Sequence, residues 1–146
     1  MRRVLAMVAV TAALVTGGIS LTGATASAAS SVGWCDGVKA VKVNARGDYV
    51  RQPYHRGTGS RNCTLAEGAQ GGAVVVLQTA LKSCNYASNL GIDGDFGPNT
   101  KKAVAYAQYR WRIGQDGIYG PESRRAFAWP MYFAGNNPSG KCLHVG

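Results

Sequence analysis

Carboxylates in the second half of the chain are the first residues whose types and spacing suggest chemistry. Asp93 and Asp95 flank Gly94, a spacing that also opens EF-hand calcium loops. Such a loop needs Gly at its sixth position and Glu at its twelfth. Counted from Asp93, those positions hold Pro98 and Val104. The sequence therefore excludes an EF-hand loop here.

Asp93 and Asp116 could instead form the acid and base pair of a glycosidase. Both occupy the same place in a repeated segment, so one structural role would explain them together. A metal-dependent hydrolase needs a cluster of His and carboxylate ligands, whereas His55 and His144 stand apart with no second ligand motif nearby. We therefore predict no catalytic residues, no metal site and no cofactor.

The first thirty residues predict export. Arg2 and Arg3 precede an apolar run over 4–15, and small residues then lead to Ala26-Ser27-Ala28. A basic start, a short apolar segment and an A-x-A site are typical of a secretory signal peptide. The run is too short to span a bilayer core of roughly 30 Å as a helix. We expect a secreted protein with no stable membrane anchor, cleaved after residue 28.

The four cysteines, Cys35, Cys63, Cys84 and Cys142, favour disulfides over chemistry. They form no C-x-x-C pair, which argues against zinc. An even number of cysteines in a small exported protein is typical of a disulfide framework. Four cysteines allow three pairings. We favour Cys35–Cys63 with Cys84–Cys142, because each bond would tie a flanking segment to itself or to the core.

An internal repeat is the most informative feature of the chain. The segment 91–104 recurs as 114–127, with six of fourteen positions identical and five more conservatively replaced. Average composition would give about one identity by chance. The residues that define the repeated turn are Asp93, Gly94, Phe96, Gly97 and Pro98 in the first copy, and Asp116, Gly117, Tyr119, Gly120 and Pro121 in the second.

Each copy has the composition of a tight turn that leads into a helix. Gly94 and Gly117 tolerate the positive φ of an Asp-Gly turn. The Gly-Pro pair that follows suits the N-cap and the first position of a helix. Two helices are therefore predicted after the two turns, the second shorter and ending near 129–130.

A third helix is predicted upstream of the repeat, from about 72 to 83, because Val74, Leu77 and Leu81 recur at helical spacing. The expected fold class is mainly α, a compact three-helix bundle with two repeated Asp-Gly turns. Leu77, Val104 and Phe127 should share its core. Weak alternation around 41–50 suggests a small hairpin-like N-terminal extension, stapled by a disulfide.

These residues resemble the bacterial peptidoglycan-binding domain of the three-helix type. The resemblance rests on L-Q-x-x-L at 77–81, D-G-x-F-G-P-x-T at 93–100 and D-G-x-Y-G-P-x-S at 116–123, and covers roughly 71–130. It implies a wall-targeting domain, commonly an appendage of a hydrolase or peptidase. Three positions depart from the family pattern: Ala107 replaces the usual aromatic residue, Arg112 replaces the usual Gly, and Cys84 stands near where many members carry Gly or a polar residue.

The resemblance also indicates where a ligand would bind. Aromatic faces suit sugar rings, and arginine donors suit the carboxylates and amides of stem peptides. The candidate ligand-binding residues, all around the second helix and its flanking turns, are Tyr86, Tyr106, Tyr109, Arg110, Arg112 and Tyr119. The alternative is that Tyr86, Tyr119 and Trp111 belong to the core, since buried aromatic side chains contribute mainly apolar area.

Four segments are expected: a signal peptide over 1–28, a disulfide-stapled extension over 29–70, a peptidoglycan-binding-like domain over 71–131, and a tail over 132–146 that Cys142 ties back. The whole chain has 16 Lys and Arg against 7 Asp and Glu. A basic exported protein suits peptidoglycan or an anionic wall polymer, and export argues against nucleic acid.

The function predicted is that of a secreted, monomeric, non-catalytic module that binds peptidoglycan or the cell wall. Two alternatives stay open. One is a wall hydrolase; the other is an accessory subunit or inhibitor that interacts with a separate wall enzyme.

Overall fold

The structure is a computed structural model that describes residues 32–146. The predicted signal peptide lies outside the described residues. Within them, no helix is long and apolar enough to cross a membrane. The elements in chain order are β1 (Gly37–Lys42), β2 (Tyr49–Tyr54), α1 (Gly72–Cys84), α2 (Pro98–Trp111), α3 (Pro121–Ala126), β3 (Ala128–Tyr132) and β4 (Pro138–His144).

The four strands form one antiparallel sheet in the order β1-β2-β3-β4. The hairpin of β1 and β2 pairs along its whole length, with Val41 opposite Val50. Val50 in turn lies opposite Met131 of β3, and Trp129 of β3 lies opposite Leu143 of β4. The segment expected to be a tail thus supplies an edge strand, and the N-terminal hairpin belongs to the same sheet.

The prediction of a mainly α three-helix bundle is therefore wrong. Three short helices stand beside a four-stranded sheet of similar size. The third helix ends at Ala126, and the residues expected to complete it form β3 instead. The physical reason is long-range pairing: β3 has a strand on each side, and these backbone hydrogen bonds outweigh a weak local preference for helix in a short apolar run.

One part of the core lies between α1 and the sheet. The other part lies between α1 and the remaining helices. Leu77, Val104 and Phe127 are all fully buried in one continuous apolar cluster. Val50 and Trp129 extend this cluster into the sheet. One core therefore serves the helices and the strands together.

Both disulfides have the favoured pairing, Cys35–Cys63 and Cys84–Cys142. The first bond ties the segment before β1 to the loop after β2, and Cys63 is fully buried. The second links the end of α1 to β4 across 58 residues of sequence. Closing so long a loop restricts the unfolded chain, which stabilises the edge strand.

Candidate functional site

The first repeated turn is organised by Gln78, a fully buried residue of α1. Its Nε2 donates to the Asp93 carboxylate at 2.7 Å and to the Asp95 carbonyl at 3.0 Å. Thr100 Oγ1 lies 3.0 Å from the same nitrogen, and Gln78 Oε1 accepts from the Gly94 N–H at 2.9 Å. One amide thus joins α1, the turn and the start of α2.

Gln108 of α2 has the same role in the second turn. Its Nε2 donates to the Asp116 carboxylate at 2.8 Å and to the Ile118 carbonyl at 2.9 Å, and its Oε1 accepts from the Gly117 N–H at 2.9 Å. Ser123 Oγ takes the place of the Thr100 hydroxyl, at 3.1 Å. The sequence repeat therefore has a matching repeat of hydrogen bonds. This role of Gln78 and Gln108 was not predicted from the sequence, although Gln is an unexpected residue on an apolar helix face.

The carboxylates of Asp93 and Asp116 are used in the hydrogen bonds of these turns. Each carboxylate also accepts a backbone N–H two residues later, from Asp95 at 3.0 Å and from Ile118 at 2.9 Å. The Asp95 N–H, followed by the Gln78 amide, lowers the pKa of Asp93 below its ordinary value of 3.8. A general acid needs a raised pKa. The geometry of each aspartate is that of a turn residue.

An aromatic–arginine surface lies where the loop after α1 meets the exposed side of α2. We define this surface by Tyr86, Tyr106, Tyr109, Arg110 and Trp111. The Arg110 guanidinium stacks 4.0 Å above the centroid of the Tyr86 ring and donates to the Tyr106 hydroxyl at 3.1 Å. The rings of Tyr106 and Tyr109 are 6.4 Å apart and roughly stacked. The structure thus brings together four of the six candidate residues.

The aromatic–arginine surface is exposed to solvent, and its cation, the Arg110 guanidinium, is held by contacts with Tyr86 and Tyr106. Tyr86 is 47% exposed and Tyr109 is 58% exposed. The hydrogen bond with Tyr106 is the main cause that raises the pKa of Arg110, so the guanidinium stays charged. A guanidinium that stacks on a ring keeps N–H donors at its edge available. The arrangement can therefore offer oriented donors beside apolar faces.

The side chain of Asn85 holds this surface in place through hydrogen bonds. It is fully buried, and its side-chain nitrogen donates to the carbonyls of Ala80 and Ala128, both at 2.8 Å. Its Oδ1 accepts from the indole of Trp111 at 2.9 Å and from the Ala128 N–H at 3.0 Å. The next residue, Tyr86, has a φ of 69°, a conformation uncommon for a non-glycine residue. Four bonds at Asn85 offset the cost of that backbone.

A groove of about 270 Å³ opens beside Tyr86, between the loop after α1 and the start of α2. It continues the aromatic–arginine surface and adds polar groups that could hydrogen-bond a ligand. Its lining residues are Tyr86, Ala87, Ser88, Asn89, Leu90, Asn99 and Ala103. The aromatic–arginine surface also contacts β4, since the His144 ring meets the Trp111 ring edge-on with 4.7 Å between the ring centroids. Neither Trp111 nor His144 was among the candidate ligand-binding residues.

Two candidates lie outside this surface. Tyr119 is fully buried, with its ring 6.0 Å from that of Trp129, so it belongs to the core and cannot face a ligand. Arg112 is the C-cap of α2 with a φ of 57°. That left-handed conformation explains why Gly is usual at this position in the family pattern. Arg112 thus has a structural role at the helix end.

Across residues 32–146, no three His, Cys, Asp or Glu side chains are placed to hold a metal ion. The imidazole of His55 accepts the Thr58 N–H at 3.2 Å in a tight loop after β2.

Comparison with known proteins identifies the helical part of the molecule. Residues 70–127 match the family described as "Putative peptidoglycan binding domain". Through this segment the chain belongs to that family, which confirms the resemblance predicted from the sequence. The family segment contains every residue of the aromatic–arginine surface and both repeated turns.

One solved structure, titled "The crystal structure of SleB N-terminal domain", shares 32% sequence identity with the chain. The match covers 43% of this chain and 85% of that one, with a TM-score of 0.41. No curated protein matches the chain.

Proposed function

We propose that this protein is a secreted, non-catalytic module that binds peptidoglycan through the aromatic–arginine surface. The observation that carries the proposal is the stack of Arg110 on Tyr86, which holds a charged donor beside exposed rings inside the family segment. The rings suit the apolar faces of sugars, and the guanidinium suits carboxylates or amides of a stem peptide. The groove beside Tyr86 would extend the contact along the polymer.

Three further features support this proposal. Without the predicted signal peptide, which contains Arg2 and Arg3, the chain has 14 Lys and Arg against 7 Asp and Glu, and the single ion pair among residues 32–146 joins Lys101 to Glu67 at 3.3 Å. Most of its cations are therefore available to an anionic wall. Two disulfides suit an oxidising, extracellular location. Many modest contacts repeated along a polymer would retain the protein without tight binding at one site.

Binding without catalysis is part of the proposal. Asp93 and Asp116, the two carboxylates considered as an acid and base, are each held by a buried glutamine in a separate turn. Zymography on cell-wall gels is the direct check, and a clearing band that disappears in Asp93→Asn would show a hydrolase instead. An accessory or inhibitory role with a separate wall enzyme stays a prediction.

Tyr86→Ala and Arg110→Ala should each weaken binding to insoluble peptidoglycan about tenfold in a pelleting assay. A desolvated cation–π or charge-assisted contact contributes about 1–2 kcal/mol, which corresponds to this factor. Lys39→Ala is the matched control, because Lys39 lies 5.9 Å from the Tyr54 ring centroid on the sheet and its loss removes the same charge. Equal weakening by Lys39→Ala would reduce the interaction to general basic adhesion.

A further inference from the structure

A buried cation lies outside the aromatic–arginine surface. Arg124 of α3 is only 6% exposed, and its Nη2 donates to Asn62 Oδ1 at 3.2 Å. Among the described residues, neither its Nε nor its Nη1 has a hydrogen-bond partner, and the same holds for the buried hydroxyl of Tyr119. Buried polar groups are nearly always paired, and an unpaired buried charge is costly. Because these atoms are buried, a ligand would be attracted by the charge of Arg124 rather than bonded to them.

The surroundings of Arg124 are positive. Burial, and then the charge of Arg61, lowers the pKa of Arg124. Arg61 itself is held at Gln52, where its Nη1 donates to the Gln52 Oε1 at 2.6 Å. No carboxylate in residues 32–146 forms an ion pair with either arginine. Two cations thus share one region without an internal counter-ion.

A cavity of about 540 Å³ adjoins this region, and Asn62 belongs to both. It lies between the loop after β2, the residues before β1 and the first residue of α3. Its lining residues are Val32, Gly33, His55, Thr58, Ser60, Asn62 and Pro121, none of which is acidic.

Three polar residues at this cavity keep hydrogen-bond donors that could bind a ligand. Asn62 Oδ1 is taken by Arg124, which leaves the two N–H bonds of Asn62 Nδ2. Ser60 Oγ accepts the Asn62 N–H at 3.0 Å, which leaves the Ser60 hydroxyl as a donor. His55 Nδ1 accepts the Thr58 N–H at 3.2 Å, so the neutral imidazole carries its proton on Nε2.

We propose that this cavity binds the carboxylate of a short peptide with small apolar side chains. The free donors of Asn62, Ser60 and His55 would hydrogen-bond the carboxylate oxygens, and Arg61 with Arg124 would supply the positive potential. Val32 and Pro121 add apolar surface to the lining, which would contact a small side chain next to the carboxylate. A stem peptide of peptidoglycan supplies such a group; that choice of source rests on the proposed function, whereas the carboxylate site does not.

The test is an NMR titration of the full chain without its signal peptide, labelled with ¹⁵N. N-acetyl-D-alanyl-D-alanine should shift the signals of the Asn62 side-chain amide, Ser60 and Thr58. The same dipeptide with a C-terminal amide should bind at least about tenfold more weakly, because the charge-assisted bonds are lost. Equal binding of acid and amide overturns the proposal. So does displacement of the dipeptide by an equal concentration of inorganic phosphate, which would show a site for any small anion.

Asn62→Asp is the informative variant, since it places a carboxylate against Arg124. We expect it to stay folded, with an unchanged or higher midpoint of unfolding, and to bind the dipeptide at least about tenfold more weakly. Asn89→Asp, in the groove beside Tyr86, makes the same charge change and should leave the titration unaltered. Wild-type binding by Asn62→Asp overturns the proposal.

The two sites can fail separately. Arg110→Ala should leave the dipeptide titration as it is in the wild type, and Asn62→Asp keeps the aromatic–arginine surface intact for the pelleting assay. A wild-type protein that binds the dipeptide but does not pellet with peptidoglycan would therefore count against the proposed function alone.

Discussion

Replacing Gln78 with Leu should lower the free energy of unfolding by about 3 kcal/mol. Leucine has a similar volume and would fill the site, but the buried Gly94 N–H would lose its partner and the Asp93 carboxylate would lose one of its donors. Each buried group left without a hydrogen bond costs about 1–3 kcal/mol. Urea unfolding followed by tryptophan fluorescence measures the change directly.

Gln115→Leu is the control for this variant, because Gln115 is an exposed glutamine next to the second turn. It should change stability by less than about 0.5 kcal/mol. A second readout is the pKa of Asp93. In Gln78→Leu it should rise only part of the way towards 3.8, because the Asp95 N–H is the larger cause of the lowering.

The same contacts determine how the contribution of Asp93 to the stability of the protein changes with pH. The pKa of Asp93 is lower in the folded state, so its stabilising contribution is present above the ordinary value of 3.8 and is lost as the pH falls through the folded value. An unchanged stability in Gln78→Leu, with an unchanged pKa of Asp93, would show that the buried amide does not organise the turn.

Trp129→Ala should have a comparable or larger effect, a loss of about 3–5 kcal/mol, which is the usual range for truncation of a buried tryptophan. Trp129 lies in β3 and is fully buried. Its indole donates to the Arg124 carbonyl at 3.2 Å, and its ring meets Tyr119 edge-on. The variant would open a cavity exactly where the strands meet the helices.

Trp34→Ala is the matched control, since Trp34 is 60% exposed and should contribute less than about 0.5 kcal/mol. Comparing thermal or urea unfolding of the two variants separates core packing from the general loss of an indole. If Trp129→Ala unfolded only the sheet and left the helical signal at its wild-type midpoint, the single shared core described above would be disproved.

The local features of this protein could be predicted from its sequence. The Asp-Gly turns and the Gly-Pro helix starts depend on backbone preferences of a few adjacent residues, and α2 and α3 begin at Pro98 and Pro121 as expected. The start of α1 at Gly72 followed from the spacing of its apolar residues.

The sheet could not be predicted in the same way. The residues of β4 are mostly exposed and show no clear alternation, so only pairing with β3 makes them a strand. The apolar run of β3 is short enough to suit the end of a helix as well as a buried strand. Both strands depend on contacts between residues far apart in sequence, which periodicity does not reveal.

Only part of the candidate site could be predicted, because the rest depends on contacts between residues far apart in sequence. Tyr86, Tyr106, Tyr109 and Arg110 were selected by residue type and meet in space. Residue type could not distinguish Tyr119, whose place in the core depends on the strand that follows α3. Nor could it reveal Asn85, whose four hydrogen bonds join segments distant in the chain.

The most direct test of the proposed wall-binding role is a titration of the ¹⁵N-labelled protein with a soluble muropeptide at about 0.5 M salt, which screens simple charge attraction. The account predicts saturable shifts centred on Tyr86, Tyr106, Tyr109 and Arg110, and their loss in Arg110→Ala. Shifts that vanish at this salt concentration, or that leave these four residues unaffected, would contradict it.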